Sequence, residues 1–352
     1  MTHLRTARVA LLALLGPLVL SIPALAQTPA APSTVNLRKI KRGPWNTKAD
    51  IPKGWIRHRT QHYEVQSMCG KEKAVRLGNH MEAMFKVYWR RFPPGKPFTK
   101  RYTIKLLANR GAFRAYGAPP GAGAYYSPVD REMVCYDTGK WLDDQPVEGP
   151  KTGKPKTDGG GDPMEEMKRE LERYKMDILG AASHEGWHQY FHWYIVSWVP
   201  IPSWINEGMG DYFYTAQPRK VKGRSIPAEL GRLNELRLPV VQWAVKNNRH
   251  VPIKELLKYS QREYYSNPSI CYAEGWALCQ FLLHSGNRKY EAALNRFIKL
   301  VQDDTNMPAV TKKAFHGIDL DQLEAEWKAW ITKLGMPAEK PGKPGAGDKK
   351  RS

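Results

Sequence analysis

The sequence predicts an α+β fold: a small N-terminal lobe built on a mixed sheet, then a mostly helical lobe, with the candidate functional site between them. Three observations predict it. Short alternating runs such as HYEVQSM (62–68) and YTIKLLA (102–108) fall early in the chain. Apolar residues at helical spacing dominate after residue 163. Between the two lies a stretch without any apolar period. Strands and helices segregated in this way give α+β architecture rather than alternating α/β units.

The chain starts with a stretch that reads as a targeting signal. Arg5 and Arg8 precede the apolar run Val9–Leu20, and Ala24-Leu25-Ala26 supplies small residues for cleavage. Residues 1–26 are therefore expected to be removed and the protein to act outside the cytoplasm. The apolar run is short for a membrane span, and no cysteine follows it to carry a lipid. Residues 27–53 are Pro-rich and basic and read as a linker. The N-terminal lobe is placed at 54–142. Within it, 62–68 and 102–108 are strands, and 71–92 is a helix with apolar positions at Val75, Leu77, Met81, Met84, Phe85 and Tyr88. A short helix follows at 111–116. Then comes a hairpin of 123–127 with 132–137 around Pro128-Val129-Asp130. Glu132–Tyr136 reads either as the edge strand along which a substrate extends or as an internal strand.

Residues 143–162 form an exposed Gly/Pro/Lys insertion that cannot build a core. The helical lobe is placed at 163–335, opened by Asp162-Pro163 as cap and first helical residue. Short helices are expected at 227–236, 240–247 and 253–259, and longer ones at 272–285, 288–302 and 320–334. Residues 336–352 read as a disordered basic tail.

With a formal net charge of +21, the chain is expected to meet an acidic envelope surface or acidic protein. The Lys and Arg are dispersed and no nucleic-acid module is recognisable, so nucleic acid is not expected. Of the four cysteines, Cys271 and Cys279 lie on one expected helix about 12 Å apart, too far to bond. Cys69 and Cys135 are either a bridge, which an oxidising compartment permits, or two buried thiols.

The chemistry concentrates in ASHEGWHQYFHWYIVSWVPIPSWINEGMGDYF, residues 182–213. His184 and His188 are one helical turn apart and face the same way, with Glu185 beside them. That is the HExxH arrangement, two imidazoles for one zinc ion and a carboxylate for proton transfer. A catalytic zinc needs a third protein ligand. His192 is about 12 Å along the helix from His184 and cannot share the ion. A histidine six residues after His188 would be another route, but that position is Tyr194. Glu207, in the first turns of a helix after Pro200 and Pro202, is the better third ligand. Asp211, one turn on, is placed to hold the outer nitrogen of a ligand histidine, and Asn206 is assigned a similar role.

At these residues the chain resembles the gluzincins, the HExxH…E zinc peptidases of the MA clan. Eighteen residues separate His188 from Glu207, as in relatives of aminopeptidase N, and INEGMGD (205–211) is similar to the thermolysin pattern. Tyr272-Ala273-Glu274-Gly275 and the apolar run after it resemble the stretch carrying the catalytic tyrosine of the aminopeptidase relatives. The resemblance thus implies Tyr272 as a transition-state donor, with Tyr264 and Tyr265 as neighbouring alternatives. The end of the chain around Trp327–Trp330 resembles secreted bacterial peptidase-MA-like domains of unknown function. A G-x-M-E-N stretch, which binds a substrate amino terminus in aminopeptidases, is absent from this sequence, so an endopeptidase on protein or peptide substrates is expected. The rival is an envelope-associated binding protein that keeps the peptidase fold without its activity.

Overall fold

The computed structural model describes residues 36–94, 97, 99–141, 176–192, 200–216, 218–221 and 224–335. The signal stretch, the 143–162 insertion, the Asp162-Pro163 helix start and the 336–352 tail lie outside the described residues. The architecture is α+β, a five-stranded mixed sheet followed by a mostly helical remainder.

The strands are β1 (Ile56–Arg59), β2 (Tyr63–Ser67), β3 (Tyr102–Leu107), β4 (Tyr125–Ser127) and β5 (Glu132–Tyr136), in spatial order β1-β2-β3-β5-β4. β2, β3 and β5 run parallel, and β1 and β4 are antiparallel edges. Parallel neighbours need crossovers, and helices α1 (Gly70–Arg91) and α2 (Arg110–Tyr116) supply them. Alternation sorts the side chains of each strand. On β3, Tyr102, Ile104 and Leu106 join the core under α1, while Leu107 joins the smaller core on the other face.

The expected hairpin around Pro128–Asp130 is present, with Tyr125 paired to Val134 and Ser127 to Glu132. Of the two readings of its second strand, the internal one holds. Glu132–Tyr136 is internal, between β3 and β4, so β4 is the edge. The cause is the parallel pairing of β5 with β3, from Thr103↔Glu132 to Leu107↔Tyr136.

From residue 36 the basic arm does not trail as a linker; it lies across the second sheet face. Trp45 is fully buried and packs edge-on against Trp55 at 5.5 Å. The strap covers a polar face: Lys105, fully buried, donates to the carbonyls of Lys41 (3.0 Å) and Gly43 (3.2 Å). Glu132 accepts from Gly43 N–H at 2.7 Å and from the Tyr116 hydroxyl at 2.7 Å.

Helix α3 (Ile178–Tyr190) starts at Asp177, whose side chain accepts from the N–H of Leu179 and Gly180. Nearly every residue of α3 is buried, because it packs on α1, on β4 and β5, and on α4 (Ser203–Tyr214). A short antiparallel pair follows, β6 (Arg219–Val221) and β7 (Arg224–Ile226). The remaining helices are α5 (Leu238–Lys246), α6 (Ile253–Leu256), α7 (Gln261–Ser266), α8 (Pro268–His284), α9 (Arg288–Leu300), α10 (Met307–Ala314) and α11 (Leu320–Lys333). The helix expected at 227–236 does not form, since Gly231 takes a positive φ of 85° that interrupts helical backbone. α7 and α10 were not anticipated. No Cys69–Cys135 bridge forms, and all four cysteines are free thiols. β3 lies between the strands that lead to Cys69 and carry Cys135. Among the described residues no helix is long and apolar enough to cross a membrane.

Candidate metal centre

His184 and His188 sit one turn apart on α3, and α4 brings Glu207 opposite them. Their ligand atoms all lie within 4.8 Å of one another, and all three residues are buried. The Glu207 carboxylate converges on both imidazoles, with Oε2 3.2 Å from His184 Nε2 and 3.4 Å from His188 Nε2.

The outer ring nitrogens are occupied. His184 Nδ1 donates to Asp211 Oδ1 at 3.2 Å, and His188 Nδ1 donates to Asn206 Oδ1 at 3.0 Å. These contacts set the tautomer that turns each Nε2 lone pair inward, as metal ligation requires. Asp211 is held in turn by Arg237 Nε at 2.6 Å. The Tyr265 hydroxyl donates to Glu207 Oε1 at 2.7 Å, leaving Oε2 for the ion.

The donor set fits a metal ion. Two inward imidazole nitrogens and one carboxylate oxygen, each braced from outside, supply three ligands and leave a further position on the ion open. The electrostatics agree. Burial lowers the His184 pKa, but its bonds to Asp211 and Glu207 outweigh this and push it up to about 10. Burial raises that of Glu207, yet the imidazoles hold it well below the carboxylate range. The pocket therefore favours positive charge.

Local sequence explains why α3 and α4 come so close. A Cβ on Gly210 would stand 2.7 Å from Cε1 and Nε2 of His184. A Cβ on Gly208 would stand 2.3 Å from the carbonyl oxygen of Gly275, so α4 and α8 cross with almost no gap.

Glu185 points to the same cleft and is only half-buried, unlike the three ligands. Burial raises its pKa, and the imidazoles of His188 and His184 oppose the shift. The backbone N–H of Tyr126, on edge strand β4, donates to it. Tyr272, on α8, lines the cleft with its ring stacked on Tyr265 at 6.1 Å. Burial, followed by the charge of Glu207, pushes its pKa up. It stays a neutral donor. Tyr264 is fully buried behind both and does not line the cleft. His192 lies on the cleft wall outside the ligand group.

Arg237 and the Tyr265–Glu207 bond were not read from the sequence. Arg237 carries no local signal, because it lies 26 residues from Asp211 in a stretch expected to be loop. Tyr265 had one: Ser260 and Glu263 form a capping box that starts α7 and aims Tyr265 inward. The cleft has a volume of about 2930 Å³ and is lined by β4, α3, α4 and the segments from Arg232 to Leu320. No protein-family model matches the chain, and no curated protein matches it. The likeness to gluzincins rests on the residues themselves.

Proposed function

We propose that the protein is a zinc-dependent peptidase, an endopeptidase rather than an aminopeptidase, acting outside the cytoplasm. The observation that carries the reading is one buried His-His-Glu group with a further carboxylate, Glu185, lining the same cleft from the same helix turn. Zinc is the ion that this nitrogen-and-oxygen donor set suits, with His184, His188 and Glu207 as its ligands. When bound, it supplies Lewis acidity towards a peptide carbonyl and makes water nucleophilic near neutral pH.

The rest falls to the chain. Glu185 takes the proton of the attacking water and hands it to the leaving amine nitrogen. Its raised pKa suits both halves of that task. Tyr272 donates its O–H to the oxygen that gains charge as the carbonyl becomes tetrahedral, a contact commonly worth about 3–4 kcal/mol. Asp211 and Asn206 keep the imidazoles from turning. The cleft is several times larger than an ordinary small-molecule pocket of about 300–1,000 Å³, and it opens on edge strand β4. Both features suit an extended polypeptide.

The test compares wild type and Glu185→Gln for zinc content and for hydrolysis of an unstructured protein, with and without chelator. Zinc is expected to stay in the variant while the rate falls by about 10²–10⁴-fold. Hydrolysis undiminished in the variant would remove Glu185 from the mechanism. Full zinc content with no hydrolysis by wild type would favour the envelope-associated binding protein.

A further inference from the structure

The cleft carries positive charge that the metal centre does not use. Five acidic residues line it, and four are committed: Glu185, Glu207 and Asp211 at the centre, and Asp177 as the cap of α3. Only Glu235 is left. On the wall from residue 254 onward the lining includes Lys254, Lys258 and Lys312 and no Asp or Glu, over an apolar floor of Leu257 and Phe315. Lys254 meets Asp321 at 3.2 Å and Lys258 meets Glu255 at 3.6 Å, both with exposed side chains. Such surface pairs are worth about 0–1 kcal/mol and yield readily to a better partner.

Arg237 lines the same cleft and reaches the metal centre. Its Nε donates to Asp211 and its guanidinium lies over the Tyr272 ring at 5.0 Å. A guanidinium has five donors. Among the described residues the Arg237 guanidinium gives one hydrogen bond, so its terminal amino groups remain available at the cleft wall. Two parallel N–H groups of that fork match a carboxylate, which they bind bidentately.

We infer that the cleft selects a carboxylate-bearing peptide, with Arg237 taking one carboxylate beside the metal centre and the lysine wall taking acidic side chains further along. The inference rests on the peptidase reading and adds its substrate class. The net charge of +21 works in the same direction by drawing acidic chains from a distance. The carboxylate beside Arg237 belongs either to an Asp or Glu side chain or to a free C-terminus.

Four zinc-loaded assays on one Ala/Leu peptide decide it: free acid or amide, with or without Glu residues flanking the central bond. For wild type, kcat/KM on the Glu peptides should exceed that on the neutral amide about tenfold or more, and the gap should shrink with salt. In Lys258→Glu/Lys312→Glu the gap should collapse while the neutral amide is cleaved as before. The milder Lys258→Gln/Lys312→Gln guards against a folding defect. In Arg237→Gln all rates should fall because Asp211 loses its brace, but those on carboxylate peptides should fall furthest. An equal fall on all four would leave Arg237 as a positioning residue only and overturn its part. A preference seen with the free acid alone identifies the C-terminus as the source, and one seen with the Glu amide alone identifies side chains. Equal kcat/KM on all four wild-type reactions would overturn the inference. If no peptide is cleaved, the peptidase reading fails separately, and fluorescence anisotropy with the same labelled peptides still decides. Tighter binding of the Glu peptides, lost in the double reversal, supports selection; equal binding overturns it.

Discussion

Gly210 shows how little room the ligand residues have. Its Cα faces the His184 ring, so Gly210→Ala would force the imidazole off its line to Glu207 without removing any ligand. We expect zinc affinity to fall about 10–100-fold, as for loss of an outer contact to a ligand, read by competition with a chromogenic chelator. The two tyrosines should separate in the same assays. Tyr265→Phe releases Glu207 Oε1 and should weaken zinc binding by a similar factor. Tyr272→Phe should leave zinc content unchanged and lower kcat far more than it raises KM, because its donor matters in the transition state. Normal kcat in Tyr272→Phe would remove that residue from the mechanism. His184, His188, Glu185 and Glu207 were legible as residues because helical spacing alone aligns the first pair. Arg237 was not, because its contact with Asp211 depends on how a loop returns across α4.

Among the elements, α8 carries most of the contacts that hold the helical lobe together, and it contains an unusual carboxyl. Glu274 is fully buried on α8 and accepts from Val251 N–H with both oxygens, at 2.9 and 3.1 Å. Burial pushes its pKa up to about 8, against the pull of that N–H. The native state therefore keeps a proton that the unfolded chain loses near 4.5. Between these values the unfolded state binds fewer protons, so this group's contribution makes stability fall as pH rises from about 4.5 to 8. Glu274→Gln retains an acceptor for Val251 and cannot ionise. Its thermal midpoint should match wild type near pH 4 and exceed it at pH 8.5; a constant difference across that range would refute the assignment. Long periodic helices such as α1, α8, α9 and α11 were visible from their apolar spacing. The expected 227–236 helix was not viable, since spacing cannot register that Gly231 adopts left-handed backbone.

Over the whole molecule, the sheet is covered on both faces, by α1 and α3 on one and by α2 and the N-terminal strap on the other. The strap holds a buried pair, Lys105 and Glu132 at 3.7 Å, with the Lys105 ammonium 4.2 Å from the Trp45 ring centroid. Burial lowers the Lys105 pKa to about 8, with Glu132 opposing. Removing Lys105 leaves the fully buried Glu132 with only the part-exposed Arg42, 3.5 Å away, as a counter-charge. Lys105→Met should cost about 3–5 kcal/mol, and Lys105→Met/Glu132→Gln appreciably less. Urea unfolding of the single and double variants measures this. Zinc content should not change in either, because the strap and the metal centre lie on opposite faces of the sheet. An additive double variant would show that the pair does not act together.

What the sequence determined by itself is what depends on neighbours along the chain. The α+β division follows from where period-two and period-3.6 patterns occur, and the HExxH geometry follows from the pitch of one helix. The choice of Glu207 needed only a proline break and a new helix start. The tertiary structure decided whatever depends on which segments meet. It made β4 rather than β5 the edge, by pairing β5 with β3. It turned a Pro-rich arm into the cover of a polar sheet face, because Lys105 and Glu132 need the backbone groups of residues 41 and 43. It also placed Arg237 and Tyr265 around the ligands. Hydrogen bonds and packing across long separations carry no periodic signature, so they become visible only when the chain has folded.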